Sequence, residues 1–144
     1  MKILIINGPN LNLLGKRDSE QYGNRTLPQI NSTIKKNFPD DKFRFYQSNL
    51  EGELVNEIQS AQKKFNGLVI NPGGFAHSSV VIHDALELIQ IPKIEVHLSN
   101  LAARESFRNI MLTASVCNGY ISGFREDSYI AAVFLLKRFL NQRG

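Results

Sequence analysis

Short apolar runs alternate with longer amphipathic stretches along the chain. Residues 2–7 form a continuous apolar run, which is typical of a strand buried on both faces. Residues 42–48 alternate apolar and polar positions instead, and this pattern indicates a strand at the edge of a sheet. Three further strands are predicted over residues 67–71, 91–98 and 116–123.

Helical periodicity fills the intervals between these strands. Thr26 is placed to cap the first helix, because Pro28 suits a first turn and Gln29 completes a capping box. Three more helices are predicted over residues 52–64, from Ser78 or Ser79 to Ile89, and from Tyr129 to Leu140 with Asp127 as its cap. The positions expected to face the core of the first three helices are Leu27, Ile30, Ile34, Phe38, Leu54, Ile58, Ala61, Val81, Ile82, Ala85, Leu86 and Ile89.

Alternation of strands and helices predicts an α/β fold, in which helices cover both faces of a parallel sheet. The 144 residues fit a single domain, residues 1–144. Right-handed crossovers between five strands favour the flavodoxin-like order 2-1-3-4-5 in a three-layer sandwich. Ligands of such sheets bind beyond the carboxyl ends of the strands, so the chemistry is expected just after Ile6, Ile70 and Val96.

Composition narrows the possible partners and the compartment. The net charge of +4 comes from scattered basic residues without a nucleic-acid-binding motif, so a small anionic substrate fits better than nucleic acid. A single cysteine, Cys117, excludes an internal disulfide and a metal site built from several cysteines. The first apolar run is too short for a signal peptide or a membrane span, and a cytoplasmic location is therefore expected.

An unusually long loop follows the first strand, over residues 7–26. Strand-to-helix connections usually take about 2–6 residues, so this loop is predicted to be a lid or a binding segment, with Gly8, Gly15 and Gly23 as hinge points. The loop does not match a phosphate-binding loop, since Gly8 precedes Gly15 by seven residues and Arg17 stands where Ser or Thr would bind magnesium. Nucleotide binding is therefore not expected.

Polar side chains follow the third and fourth predicted strands. Asn71 and His77 come after the third strand, and His97, Ser99 and Asn100 come at the end of the fourth. Two glycines between Asn71 and His77 would let a ligand approach the backbone closely. Because neighbouring parallel strands end at the same edge, these side chains are expected to converge on one site.

Five motifs give the chain a collinear resemblance to the type II 3-dehydroquinate dehydratases, from Lys2 to the last helix. They are residues 7–15 with Arg17 and Tyr22-Gly23, residues 71–74, residues 77–79, residues 95–100 and residues 103–108. The resemblance implies a flavodoxin-like chain assembled as a dodecamer built from trimers. It also implies removal of water from 3-dehydroquinate to give 3-dehydroshikimate, without a metal or an organic cofactor.

The same resemblance assigns the chemistry to residues of this chain. It implies that Tyr22 is the base and that Arg17 favours its phenolate form, which a free phenol reaches only near pH 10. One charge about 4 Å away contributes about 4 kcal/mol at an effective dielectric constant near 20. The resemblance further implies that His97 is the general acid, that Glu95 orients its imidazole, and that Asn10 holds a water against the enolate oxygen.

Substrate contacts are implied in the same way. The residues implied to hold the hydroxyls and the carboxylate are Asn71, His77, Leu98, Ser99 and Arg108, with Asp84 reaching the substrate from an adjacent subunit. The chain departs from the common family pattern at Phe75, Ala76, His83 and Asn109. The first two departures are expected to alter hydrogen bonding around His77, and the last two to weaken subunit contacts.

Two alternatives remain open at this point. Lys93 is the lysine inside an apolar strand run and is the candidate for a Schiff-base dehydratase, although 144 residues are too few for the barrel that such enzymes use. A flavodoxin-like flavin- or nucleotide-binding module without dehydratase activity is the other alternative. The chain lacks a Ser/Thr-rich phosphate loop after the first strand, and it has no Trp to cover a flavin.

Overall fold

Five parallel strands form one sheet in the computed structural model of the protein, which describes residues 1–143. The strands are β1 (Lys2–Asn7), β2 (Lys42–Gln47), β3 (Gly67–Asn71), β4 (Lys93–His97) and β5 (Gly119–Ser122). Their order across the sheet is β2-β1-β3-β4-β5, and every neighbouring pair is parallel. The predicted α/β class and strand order are therefore confirmed.

Helices and short turns connect these strands within residues 1–143. The α-helices are α1 (Ser19–Tyr22), α2 (Leu27–Asn37), α3 (Glu51–Lys64), α4 (Val80–Leu88) and α5 (Asp127–Arg143). The 3₁₀ turns are Leu11–Leu13, Gly73–His77, Leu101–Ala103, Ser106–Asn109 and Ala114–Val116. None of the helices in this part of the chain has the length and apolar character needed to cross a membrane.

The two faces of the sheet are covered by different pairs of helices. On β1, Ile3 and Ile5 belong to the core shared with α2 and α5, whereas Leu4 and Ile6 belong to the core shared with α3 and α4. All four side chains are fully buried. A central strand covered on both faces explains why its sequence is a continuous apolar run rather than an alternating one.

Side-chain caps begin two of the helices as the sequence predicts. Thr26 Oγ1 accepts a hydrogen bond from the Gln29 backbone N–H at 3.4 Å, and Gln29 Oε1 accepts one from the Thr26 N–H at 3.0 Å. This reciprocal pair is the predicted capping box of α2. Ser79 caps α4 by accepting from the Ile82 N–H at 3.0 Å. This helix, the third of those predicted, therefore begins one residue after Ser79.

The fourth and fifth strands are shorter than predicted. β4 does not extend over residues 91–98, and β5 begins at Gly119 rather than at Val116. Val116 ends a 3₁₀ turn, and Cys117 follows that turn, so the prediction of Cys117 as a strand residue was wrong. The thiol donates to the Thr113 carbonyl at 3.5 Å, and burial raises the pKa of the Cys117 thiol to about 12.

Two helices carry apolar side chains that are exposed in this chain. Val81 on α4 was predicted to face the core but is exposed, because a rotation of about 100° per residue turns it to solvent when Ile82 faces inward. On α5, one side packs on the sheet while Phe134, Leu135 and Phe139 stay exposed. The apolar residues of α5 therefore do not all pack within this chain.

Candidate active site

A cavity of about 110 Å³ lies beyond the carboxyl ends of β1, β3 and β4. This is the edge at which open parallel sheets bind their ligands. Eight of the predicted site residues line it, namely Asn10, Arg17, Tyr22, Asn71, His97, Leu98, Ser99 and Arg108. Four other predicted residues do not line it. His77 and Glu95 lie next to His97, Asn100 accepts from the Ala102 N–H at the start of the following 3₁₀ turn, and Asp84 lies elsewhere on the chain.

The long loop after β1 is anchored in the core and ordered around the cavity. Leu11 and Leu14 are buried among the side chains of the α2–α5 layer, which holds the first half of the loop against the sheet. Asp18 caps the start of α1, and Gly23 follows its last residue with a φ of 78°, a conformation that favours glycine. The last residue of this short helix is Tyr22, so the cap and the glycine together direct the phenol to the cavity.

Tyr22 and Arg17 form a hydrogen-bonded pair at the cavity wall. Arg17 Nη2 donates to the Tyr22 hydroxyl oxygen at 2.9 Å, and the guanidinium carbon lies 3.9 Å from the centre of the phenol ring. Arginine keeps its charge at any working pH. Such a charge, donating to the phenol oxygen, interacts more strongly with negative charge on that oxygen than with a neutral hydroxyl. The geometry can therefore supply an anionic oxygen that accepts a proton.

Arg104 is a cavity residue to which the sequence reasoning assigned no role. Its side chain is only 10% exposed, and its guanidinium carbon lies 5.2 Å from the centre of the Tyr22 ring. Its Nη1 donates to Ser99 Oγ at 3.1 Å. The signal that the sequence offers for this residue is its position within the motif of residues 103–108.

Asn10 lines the cavity from a left-handed backbone conformation with φ of 71°. Asparagine is among the few residues other than glycine that adopt this region readily. Its backbone N–H donates to Asn49 Oδ1 at 3.0 Å, which ties the loop to the segment after β2. The Asn10 side chain makes no capping bond to the turn that follows, so its carboxamide is free for a ligand.

A buried acid–imidazole pair stands at the end of β4. Glu95 and His97 share one face of the strand because side chains two residues apart point the same way. Glu95 Oε2 and His97 Nε2 are 2.8 Å apart, and Thr113 donates to the other Glu95 oxygen, Oε1. A buried carboxylate needs such partners. Because the carboxylate accepts, His97 carries its hydrogen on Nε2, and Nδ1 is the nitrogen left to exchange a proton.

His77 lies beside His97, and a hydrogen bond to the backbone fixes its tautomer. Its Nδ1 lies 2.7 Å from the Ile110 carbonyl oxygen, which can only accept, so Nδ1 carries the hydrogen. Burial lowers the pKa of His77 and favours the neutral ring. The Nε2 atom is buried without a partner, and the ring centres of His77 and His97 are 6.0 Å apart. His77 therefore offers an acceptor nitrogen to a hydroxyl group.

The orientation of the Asn71 amide is set by a buried tyrosine. The Gly73 backbone N–H donates to Asn71 Oδ1 at 3.1 Å, and Asn71 Nδ2 donates to the Tyr129 hydroxyl at 3.0 Å. Tyr129 in turn donates to Asn7 Oδ1. Tyr129 is fully buried in α5, and burial raises the pKa of its phenol, so it remains a neutral donor. Asn71 keeps its second N–H for a ligand in the cavity.

The charge of the cavity favours an anion. Arg17, Arg104 and Arg108 line it, and no carboxylate is among its lining residues. The Nε atom of Arg108 donates to Glu105 Oε2 at 2.5 Å, which positions the guanidinium while leaving its terminal nitrogens unused by that bond. Three guanidinium groups around a small cavity match a carboxylate-bearing substrate.

Asp84 lies outside this cavity within the single chain. It is an exposed residue of α4, and its Oδ1 lies 2.8 Å from Nδ1 of the neighbouring His83. Within residues 1–143, the side chains close enough together to share a metal ion are His83, Asp84 and Glu87, on the same exposed helix face. The residues around the cavity thus offer groups for proton transfer and for anion binding. The cluster of possible metal ligands on α4 is separate from them.

Comparison with known proteins places the whole chain among one group of enzymes. The family described as dehydroquinase class II matches residues 1–137. A 3-dehydroquinate dehydratase of Clostridium botulinum is 48% identical over 144 residues, covering 98% of this chain and 98% of the relative. One of Fusobacterium nucleatum, also called 3-dehydroquinate dehydratase, is 46% identical over 148 residues, covering 99% of this chain and all of the relative.

Solved structures agree with the sequence relatives. A type II dehydroquinase from Butyrivibrio crossotus superposes with a TM-score of 0.92 at 45% identity, covering 95% of this chain and 97% of that one. The type II dehydroquinase from Propionibacterium acnes superposes with a TM-score of 0.86 at 33% identity, covering 94% and 96% of the two chains. The similarity therefore covers both the fold and nearly the whole length of the sequence.

Proposed function

The chain belongs to the class II dehydroquinase family and is a hydro-lyase that removes water from 3-dehydroquinate, and we propose that Tyr22 is its base and His97 its acid. The observation that carries these roles is the 2.9 Å bond from Arg17 to the Tyr22 oxygen in the cavity that His97 also lines. We also propose that residues 1–144 act as one catalytic domain. The alternative of a flavin- or nucleotide-binding module is not favoured, because the relatives along the whole chain are dehydratases.

The proposed reaction moves one proton in each of two steps. The Tyr22 phenolate takes a proton from the carbon beside the ketone, and the electron pair of that C–H bond moves into an enolate. The enolate then re-forms the ketone as the carbon–oxygen bond of the departing hydroxyl breaks, and protonated His97 donates its proton so that water leaves. The enzyme returns to its starting state when Tyr22 loses a proton and His97 regains one.

Substrate binding follows from the polar groups around the cavity. Arg108 and the backbone amides of Leu98 and Ser99 are proposed to hold the carboxylate and neighbouring oxygen atoms. Asn71, with its amide held by Gly73 and Tyr129, and neutral His77, with an unpaired acceptor nitrogen, are proposed to bind hydroxyls. Asn10, whose carboxamide is not used in the turn, is proposed to hold a water against the enolate oxygen.

A Schiff base on Lys93 does not fit this geometry. Lys93 is the first residue of β4, whereas the cavity lies beyond the last, and its Nζ donates to the Ile89 carbonyl at 2.9 Å. The amine is therefore at the opposite edge of the sheet from the reacting groups. Burial does lower the pKa of Lys93, but a nucleophile that cannot reach the cavity has no substrate to attack.

Addition of 3-dehydroquinate to the purified protein tests the reaction and the mechanism together. We expect the ultraviolet absorbance of a conjugated enone to rise, at the same rate with and without a chelator. We also expect borohydride added with substrate to leave the activity intact, because no imine forms. Absence of the enone would refute the activity. A lysine adduct stabilised by borohydride would show that the reaction passes through an imine. The protein would then still be a dehydratase, but Tyr22 would not be the base of a non-covalent reaction.

We propose further that the enzyme is a homo-oligomer, a dodecamer of trimers in which Asp84 reaches the cavity of an adjacent subunit. Exposed apolar side chains near the cavity rim support association between copies: Phe107, Ile110, Tyr120 and Phe124. Asp84 is itself exposed and has no role within its own chain's cavity.

We also propose a cytoplasmic location. The single free thiol of Cys117 suits a reducing compartment.

Replacement of Asp84 with asparagine is expected to lower kcat/KM about tenfold, the usual scale for one lost charged contact. Light scattering should still give about twelve times the 16.3 kDa chain mass for the wild type and the variant. Glu87→Gln, one turn further along α4, is the matched control and should retain wild-type kinetics. Oligomers refolded from equal amounts of the Asp84→Asn and Tyr22→Phe chains should be several-fold more active than the average of the two separate variants. If the mixed oligomers are no more active than that average, Asp84 acts in the site of its own chain or in no site.

A further inference from the structure

A buried hydroxyl stands behind the Glu95–His97 pair. Thr113 is fully buried, does not line the cavity, and donates through Oγ1 to Glu95 Oε1, while Glu95 Oε2 holds His97 Nε2 at 2.8 Å. We propose that Thr113 is a positioning residue for His97, acting through the Glu95 carboxylate. This inference rests on the proposed function, in which His97 is the general acid.

The hydroxyl matters because a carboxylate rotates easily about its last carbon–carbon bond. With one donor, the carboxylate can turn about that bond and change the direction in which it offers its second oxygen. With Thr113 on Oε1 and His97 on Oε2, both oxygens of Glu95 are engaged and the plane of the carboxylate is fixed. The imidazole is then held in one orientation, with its hydrogen on Nε2 and its exchangeable proton on Nδ1.

Thr113 is itself held by bonds that do not involve Glu95. Its carbonyl accepts from the Val116 N–H at 3.3 Å and from the Cys117 thiol at 3.5 Å. Its neighbour Leu112 donates through its backbone N–H to the Ala76 carbonyl at 2.9 Å. The hydroxyl is therefore presented to Glu95 from a segment that is tied to the 3₁₀ turn after β3, and it does not depend on Glu95 for its position.

Other charged and titratable groups also face the pair. They are His77, with its ring centre 6.0 Å from that of His97, the cavity-lining Arg17, Tyr22, Arg104 and Arg108, and Cys117 from the side of Glu95. Burial keeps the Cys117 thiol neutral by raising its pKa to about 12. Substituting Thr113 changes none of these charges. Any change in the protonation of His97 then comes through the one bond to Glu95.

Thr113→Val keeps the shape of the side chain and removes the donor. We expect kcat to fall about tenfold, equivalent to about 1.4 kcal/mol of activation free energy, while KM stays within about twofold. A carboxylate that no longer shares its charge with a hydroxyl favours the imidazolium more strongly. The limb of the kcat profile on which activity is lost as pH rises should therefore move about half a unit to higher pH. Thr113→Ser retains the donor and should restore both values.

Ser115→Ala is the matched control, because it removes a hydroxyl bond to the Leu112 carbonyl from the same segment without touching Glu95. It should leave kcat and the pH profile unchanged. A Thr113→Val enzyme with lower thermal stability but wild-type kcat and pH profile would overturn the inference. If the valine variant does not fold, Thr113→Cys can replace it, because its S–H group is a weaker donor. A cysteine variant whose kcat is lost at the same alkaline pH as in the wild type would also contradict the inference. A wild-type rate in His97→Ala would instead refute the proposed acid, which separates the two failures.

Discussion

Replacing Tyr22 with phenylalanine is expected to lower kcat by about 10³-fold while leaving substrate affinity within about twofold. The substitution removes the oxygen that accepts the proton and keeps the ring. Arg17 and Arg104 remain beside that ring to bind the anionic substrate. The rate is measured from enone absorbance, and the affinity is measured by equilibrium binding of 3-dehydroquinate to the variant, which turns over too slowly to consume it.

The size of this effect follows from the bond between Arg17 and the phenol. The guanidinium donates to the Tyr22 oxygen at 2.9 Å, so it stabilises the anion and not the neutral phenol. Arg17→Ala should therefore also lose most of its turnover. The remaining activity should increase toward higher pH, since the phenolate must then form without its cationic partner.

Tyr46→Phe is the control for this experiment. It removes a phenol oxygen from the edge strand β2, where the hydroxyl contacts Glu53 at 3.4 Å far from the cavity wall. This variant should keep the wild-type rate. If Tyr22→Phe also keeps the wild-type rate, another group accepts the proton and the role of the Arg17–Tyr22 pair is only structural.

Removal of the imidazole in His97→Ala is expected to lower kcat by about 10²-fold or more, which is the usual range for a lost general acid. The limb of the profile on which activity falls as pH rises should disappear, because no group remains whose deprotonation stops the donation. Glu95 keeps its bond to Thr113, so the environment behind the vacated position stays polar.

Added imidazole provides a direct check on the role of His97. The alanine variant leaves space beside Glu95 Oε2 in which a free imidazole can bind, and activity should rise with imidazole concentration. The wild type should not respond. A His97→Ala enzyme whose low activity is insensitive to imidazole and whose alkaline limb is unchanged would contradict donation by His97 and indicate a binding role.

The fold could be predicted because its periodicities were unambiguous. The interior positions of β1 and β3 are all apolar because both faces of these strands are covered, and the predicted bounds agree with the structure. The reciprocal cap between Thr26 and Gln29 depends on local hydrogen bonds alone and was equally visible. The start of β5 was harder to predict, because Val116 and Cys117 pack against the core from a turn, and packing alone does not distinguish a turn from a strand.

Most of the candidate site could be predicted, because residues at adjacent strand ends must converge and because their motifs resemble those of a known family. Arg104 and Thr113 were missed for different reasons. Arg104 bonds Ser99 and approaches Tyr22 across the cavity, and Thr113 reaches Glu95 from a connection eighteen residues further along the chain. Side-chain contacts between segments so far apart leave no periodic signal in the sequence.

The hydroxyl of Tyr129 connects the amide of Asn71 to the side chain of Asn7 from within α5. That helix leaves the ribosome after all five strands have been synthesised, and it also supplies the apolar residues that cover one side of the sheet. A nascent chain that ends before α5 therefore has every proposed proton-transfer residue in place in its sequence and still lacks the support for its substrate-binding amide. Ligand recognition in this protein is therefore complete only after α5 has docked on the sheet.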